Sequence, residues 1–187
     1  ILLKNKNDYA ILMAKEMGKP IHQGKKEIEK CAWLCCYYAE NAENFLRPKL
    51  IKTEMQKSYV AYEPTGIVLM IMPWNFPFWQ VFRAAVPNIV AGNVTMLSHA
   101  PITTGSGLAI EQLFLAAGFP KGVFQTIITN YEAMKNVIDH PWIRGVTLTG
   151  SERAGKAVGS EAGNALKKIV LELGGNDQIG RASCRER

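Results

Sequence analysis

Six apolar residues, Ile67-Val68-Leu69-Met70-Ile71-Met72, run without a break into Pro73-Trp74-Asn75-Phe76-Pro77, and no other stretch restricts the possible folds as much. The run is too short for a helix of ordinary length. A turn rich in Pro and aromatic rings cuts it off, which predicts a buried strand ending in a shaped loop. Pro73 and Pro77 donate no backbone hydrogen bond and restrict the residues before them, so Asn75 is held in a stiffened frame just past the strand's carboxyl end. In an open α/β sheet, ligands bind at that end. Two readings of Asn75 follow: a turn Asn satisfying its own backbone, or an NH2 group aimed at an oxygen that becomes negative during a reaction.

The segments around this strand alternate in type. Residues 78–92 carry a helical pattern, 93–97 a strand, 104–117 a helix stopped by Gly118 and Pro120, 122–129 a strand, 132–139 a helix and 145–148 a strand. Such alternation predicts an α/β fold, a Rossmann-like parallel sheet with flanking helices. Ahead of it come helices at 8–17 and 24–46 and two short extended segments at 49–53 and 57–63. In the longer helix Ile28, Cys31, Cys35, Tyr38, Ala42 and Phe45 step by three and four, which predicts one buried stripe.

Several function classes are excluded. No apolar run approaches the roughly eighteen residues of a membrane span, and Ile1-Leu2-Leu3-Lys4-Asn5 lacks the apolar segment of a secretory signal, so the reading is no membrane and a cytoplasmic setting. The net charge of +6 is spread among acids, as in Lys25-Lys26-Glu27-Ile28-Glu29-Lys30, and reads as solvated helix faces, not a nucleic-acid patch. Cys31, Cys35, Cys36 and the isolated Cys184 lack the spacing of a metal site and read as free thiols in a reducing compartment.

Three further places carry candidate chemistry. After strand 145–148, Thr149-Gly150-Ser151-Glu152-Arg153-Ala154-Gly155 opens a helix: either Ser151 is simply the N-cap, or Gly150, the Ser151 hydroxyl and the first-turn N–H groups cradle a pyrophosphate. In Leu171-Glu172-Leu173-Gly174-Gly175, Glu172 is either an edge-strand carboxylate facing water or a buried one whose pKa rises toward that of a general base. If the helix begins near Asn75, Trp79 and Arg83 follow it at steps of four, and Arg83 lies about 12 Å along the axis at 1.5 Å per residue. There it could hold the far carboxylate of a short substrate, or be a surface Arg paired with a helix acid. His99, alone in a loop, reads as a polar surface group.

Pro-Trp-Asn-Phe-Pro, the Gly-Ser-x-x-x-Gly helix start and Leu-Glu-Leu-Gly-Gly, in this order, resemble the NAD(P)-dependent aldehyde dehydrogenases over roughly residues 8–177. The resemblance implies that Asn75 holds the oxyanion formed when a Cys thiolate attacks the aldehyde, and that Glu172 deprotonates the water that hydrolyses the thioester. It implies NAD or NADP as cofactor, held by Met72, Pro73, Trp74, Ser98, Gly150, Ser151, Gly155, Leu173 and Gly174, and a small-molecule aldehyde as substrate. In family members acting on succinic semialdehyde, an Arg at the offset of Arg83 binds the carboxylate, with Trp79 beside it. The extended segments correspond to a β-arm used in subunit assembly, which implies a homo-oligomeric parent enzyme.

The sequence departs from the family at two places. Ser98 stands where Lys usually contacts the ribose and Pro101 where Glu is frequent; losing the carboxylate favours tolerance of NADP, while losing the Lys weakens the grip on either dinucleotide. The nucleophile is absent: Cys184 lies only twelve residues after Glu172 and lacks the family's surroundings. Residues 178–187 read as a non-native tail, and neither end reads as native. The expectation is therefore a cofactor-binding part, residues 1–177, with the catalytic domain missing. It would be inactive alone, a dinucleotide-binding module with bare apolar surface.

Overall fold

The computed structural model describes residues 1–174. Helices α1 (Lys6–Met17) and α2 (Ile21–Leu46) lead into an antiparallel pair, β1 (Lys49–Ile51) and β2 (Ser58–Val60). The alternating part follows as β3 (Ile67–Met72), α3 (Trp79–Val90), β4 (Val94–His99), α4 (Thr104–Ala116), β5 (Phe124–Ile127), α5 (Tyr131–Asp139), β6 (Ile143–Thr149), α6 (Glu152–Asn164) and β7 (Lys168–Glu172). Strands β3 to β7 form one parallel sheet in the order β5-β4-β3-β6-β7, with β3 at its centre. The chain winds outward from β3 in one direction through β5 and then restarts on the other side with β6. That reversal is the switch point at which doubly wound sheets open a crevice.

Successive residues of β3 point to opposite faces. Met70 and Met72 pack with Val81, Phe82, Leu97 and Phe114 into the core beneath α3 and α4, which α1 and α2 close from outside. Leu69 joins Val146, Leu148, Ile138 and Val158 in the core beneath α5 and α6. At the entry to β3, Gly66 takes φ +124°, a conformation that side chains disfavour, and the Asn93 side chain accepts from the N–H groups of Thr65 and Gly66.

Two features of α2 differ from expectation. It starts at Ile21 rather than at Gly24, and Gly24 serves the crossing with α1, because a Cβ there would lie 3.0 Å from Ala10. The predicted stripe is also buried only at its beginning: Ile28 and Cys31 are fully covered, whereas Tyr38 is half-buried and Phe45 is exposed. The reason is length. Twelve residues of α1 reach about 18 Å, against about 39 Å for the 26 of α2, so the end of α2 overhangs its partner. Trp33 stacks on Tyr37 and Phe45 tilts against Tyr37 along this overhang, and Leu50 and Tyr59 lie open on the β1–β2 pair. Among the described residues no helix is long and apolar enough to cross a membrane.

Candidate active site

Helix α3 does not start near Asn75. Its first residue is Trp79, and residues 73–78 form a loop that three groups hold from outside. Glu27 of α2 accepts from the N–H groups of Phe78 (2.9 Å) and Trp79 (2.8 Å) through Oε1, capping α3 from 51 residues away in sequence. Its other oxygen pairs with Lys19, and both side chains are buried. The Lys19 ammonium lies 4.0 Å from the centre of the Phe76 ring. From β4, His99 Nε2 donates to the Pro77 carbonyl (2.9 Å) while Nδ1 accepts from Ala100 N–H (2.9 Å).

Glu27 and His99 correct the reading of both as solvated groups. The signal for Glu27 was its phase: it leads Cys31 and Leu34 at steps of four and three, inside the buried stripe. Removing one member of a buried ion pair costs about 3–5 kcal/mol, because the other charge remains buried and unpaired.

His99 carries a pH prediction. Burial pushes its pKa below the usual histidine value, and a proton on Nδ1 would oppose the Ala100 N–H. The unfolded chain therefore binds this proton more readily than the folded one. His99 contributes stability above about pH 6.5, and loses it progressively as pH falls toward the folded value. The thermal midpoint should drop between about pH 7.5 and about pH 5.5, with a smaller drop in His99→Asn; a drop of equal size in both proteins would rule His99 out as the source.

Asn75 sits at the exposed crest of the loop, and its Oδ1 accepts from Phe76 N–H at 3.1 Å. This is the turn bond of the first reading, yet it uses only the oxygen; fixing Oδ1 also fixes the direction of the two Nδ2 donors. Of the four helices that start at this edge of the sheet, two are closed by distant carboxylates. Glu27 closes α3, and Glu16 closes α4 by accepting from Gly105 N–H (2.6 Å) and Ser106 N–H (3.0 Å). A phosphate at either would meet a negative charge. Helix α6 is capped only by its own Ser151, whose oxygen accepts from Ala154 N–H at 3.2 Å and whose O–H stays free to donate. Its first-turn N–H groups have no intrahelical acceptor.

Beside α6, a cleft of about 530 Å³ opens between α5 and α6, walled by Leu148 and Val158 and rimmed by Ser98, Lys135 and Arg153. Gly155 lies against the Leu173 side chain, where a Cβ would stand 2.6 Å from Cδ2, so this glycine serves close packing of α6 against the end of β7. Leu173 and Gly174 follow β7 at the same edge, exposed, as are Pro73's neighbour Trp74 and, one loop away, Ser151. Met72 is buried under the loop.

On the opposite face, a crevice of about 360 Å³ lies beside α3 and is lined by Met72, Arg83, Thr147, Thr149, Lys168 and Glu172. Glu172 corrects the expectation of a buried base: its side chain is 53% exposed, because β7 is the outermost described strand and no described helix covers this face. Its partner is Arg83, at 3.5 Å, and Arg83 also donates to Thr149 Oγ1 at 3.3 Å. Arg83 is therefore paired with the candidate base rather than with a helix acid. An ion pair this open adds little stability, so neither charge is explained by folding. Trp79 lies elsewhere: the Lys30 ammonium sits 3.8 Å over its ring, on the side of α2.

The described cysteines lie on α2, away from both clefts, and burial pushes the Cys31 thiol upward and that of Cys35 up to about 11. Cys184 and Gly175 lie outside the described residues. Asn75, Ser151 and Glu172 follow β3, follow β6 and end β7, three adjacent strands in parallel register, so an amide donor, an open helix start and a carboxylate share one edge.

Residues 1–180 match the aldehyde dehydrogenase family. A probable succinate-semialdehyde dehydrogenase [NADP(+)] of Synechocystis is 46% identical over 177 residues, 95% of this chain and 39% of the relative. The succinate semialdehyde dehydrogenase [NAD(P)+] Sad of Escherichia coli is 46% identical over 170 residues, 91% of this chain and 37% of the relative. The crystal structure of succinic semialdehyde dehydrogenase from Streptococcus pyogenes in complex with NADP+ superposes with a TM-score of 0.92 at 39% identity, covering 94% of this chain and 39% of that one. The chain thus spans less than two fifths of the length of these relatives.

Proposed function

This chain belongs to the aldehyde dehydrogenase family, and we propose that it is the cofactor-binding part of an enzyme oxidising succinic semialdehyde to succinate with NADP or NAD. The observation that supports this reading is the shared sheet edge, along which lie the Asn75 loop, the open start of α6 and the end of β7 with its Arg83–Glu172 pair. The adenosine half of the dinucleotide fits the cleft between α5 and α6, with Ser98, Lys135 and Arg153 at its rim, and the phosphates fit Gly150, Ser151 and the first turn of α6. Absence of a carboxylate at the end of β4 leaves room there for a 2′-phosphate. Bound there, the dinucleotide supplies the hydride acceptor.

The chain's own residues supply the rest. Asn75 Nδ2 donates to the aldehyde oxygen as it becomes negative, Arg83 takes the far carboxylate, and Glu172 accepts a proton from the water that attacks the acyl carbon. The β1–β2 pair, with Leu50 and Tyr59 open, fits a role in assembling a homo-oligomer. The 187 residues alone bind dinucleotide without turnover, since no described cysteine stands near Asn75.

The test is Arg83→Met in the full-length enzyme, assayed with succinic semialdehyde and with butanal. Losing a charged hydrogen-bond partner should cut kcat/KM for the first about 10- to 100-fold and leave the second nearly unchanged. Equal losses on both aldehydes would reject the carboxylate role. In parallel, the 187-residue chain should bind NADP in calorimetry yet form no NADPH with succinic semialdehyde; appreciable turnover would refute the missing nucleophile.

A further inference from the structure

We propose that Glu27, acting with Lys19, is the positioning residue that aims the Asn75 amide. The inference rests on the reading of Asn75 as oxyanion donor. Residues 73–78 are anchored at their far end, where Pro77 and Phe78 are buried and the Phe76 carbonyl accepts from Gln80 N–H, but Pro73 has no N–H, Trp74 and Phe76 are about half exposed, and the Asn75 side chain accepts from Phe76 N–H. The Asn75 side chain therefore follows the Phe76 peptide, which stands two residues before the first N–H group that Glu27 holds.

Two routes lead from that carboxylate to the loop. Oε1 takes the N–H groups of Phe78 and Trp79, which anchors the loop where it becomes α3. The other oxygen holds Lys19, whose ammonium rests on the Phe76 ring 4.0 Å from its centre and gives an otherwise open ring a fixed seat. His99 holds the Pro77 carbonyl between these points. A single buried carboxylate on α2 thus sets both the end and the middle of the segment that carries Asn75. Its distance from the reacting atoms makes it a positioning group and not a catalytic one.

The experiment compares wild type, Glu27→Gln and Lys19→Met/Glu27→Gln in the full-length enzyme, each with Asn75 and with Asn75→Ala. Gln keeps one acceptor but no longer holds the ammonium. Glu27→Gln should lower kcat per folded enzyme about 10- to 100-fold with little change in KM, since small displacements of a donor are costly. In the Asn75→Ala background it should cost almost nothing further, because the donor it aims is already gone. The double variant, free of an unpaired buried Lys, should recover the thermal midpoint but not kcat. A loss of the same factor in both backgrounds, or a lower midpoint with kcat intact, would overturn the inference.

A second readout does not depend on activity. In the nitrogen-15-labelled 187-residue chain, the Asn75 side-chain amide should give one sharp pair of signals that broadens or splits in Glu27→Gln; unchanged signals would also overturn the inference. Inactive wild type together with that broadening would instead refute the dehydrogenase reading and leave the positioning intact.

Discussion

Asn75→Ala in the full-length enzyme lowers kcat about 10²- to 10³-fold, the cost of one oxyanion donor, while KM changes little and the thermal midpoint stays close to that of wild type. The separation follows from where the residue sits. Asn75 is exposed on a loop, its side chain accepts a hydrogen bond from Phe76 N–H, and no core cluster includes it. Surface substitutions of that kind usually change stability by less than about 0.5 kcal/mol. Only the Nδ2 donors, unused by the loop itself, explain a large kinetic effect. Asn75→Asp sharpens the test: it preserves the acceptor for Phe76 N–H and sets a negative oxygen where the donor was, so activity should fall further although the loop bond survives. If the residue merely closes its own turn, Ala lowers the midpoint, Asp does not, and kcat follows neither.

What could be read from the chain, and what could not, divides along one physical line. Strand β3 is legible residue for residue, because an unbroken apolar run between Gly66 and Pro73 admits little else, and the alternation after it dictates a parallel sheet with helices on both faces. The groups at the edge were legible as types: an Asn between prolines, a Ser before a helix, a Glu ending a strand. Their environments depended on neighbours distant in sequence. Glu172 is open because no described element covers this face of β7, and a local pattern of apolar residues carries no record of what packs above it. Glu27 and Glu16 look like ordinary helix acids until the fold brings them to the starts of α3 and α4. Arg83 was weighed against a helix acid, and its partner came from a strand 89 positions further along. Trp79 shares a helix with Arg83 and still faces Lys30, since the start of α3 is set by Glu27 and not by Asn75.

The two distant carboxylates also decide where a dinucleotide can lie. In most doubly wound folds the phosphates take the helix that follows the central strand. Here that helix start already holds the charge of Glu27, and the next holds Glu16, so the favourable partial charge is spent within the fold. In the proposed reading the site lies across the switch point at α6, whose cap is its own neutral Ser151. That proposed phosphate loop is tied to β7, because Gly150 N–H donates to the Glu172 carbonyl at 3.0 Å. The proposed phosphate loop and the proposed base are therefore joined by a backbone bond.

That coupling makes Glu172→Gln the most informative change at the base. The Gln side chain is nearly isosteric, and the bond from Gly150 runs to the Glu172 backbone, so neither the loop nor dinucleotide binding should change. What disappears is a carboxylate able to take a proton from water; its 53% exposure, unexpected for a buried base, is what access to water requires. In the full-length enzyme the steady-state kcat should fall about 10²- to 10⁴-fold. If Glu172 serves only the hydrolytic step proposed for it, the first turnover should still release about one equivalent of reduced dinucleotide per site in a rapid burst. Arg83, relieved of its carboxylate neighbour at 3.5 Å, becomes wholly available to the substrate carboxylate, so KM for succinic semialdehyde should not rise. Loss of the burst together with the steady state would mean that Glu172 acts before hydride departure, or supports Arg83 instead of the water, and its assignment as hydrolytic base would then be wrong.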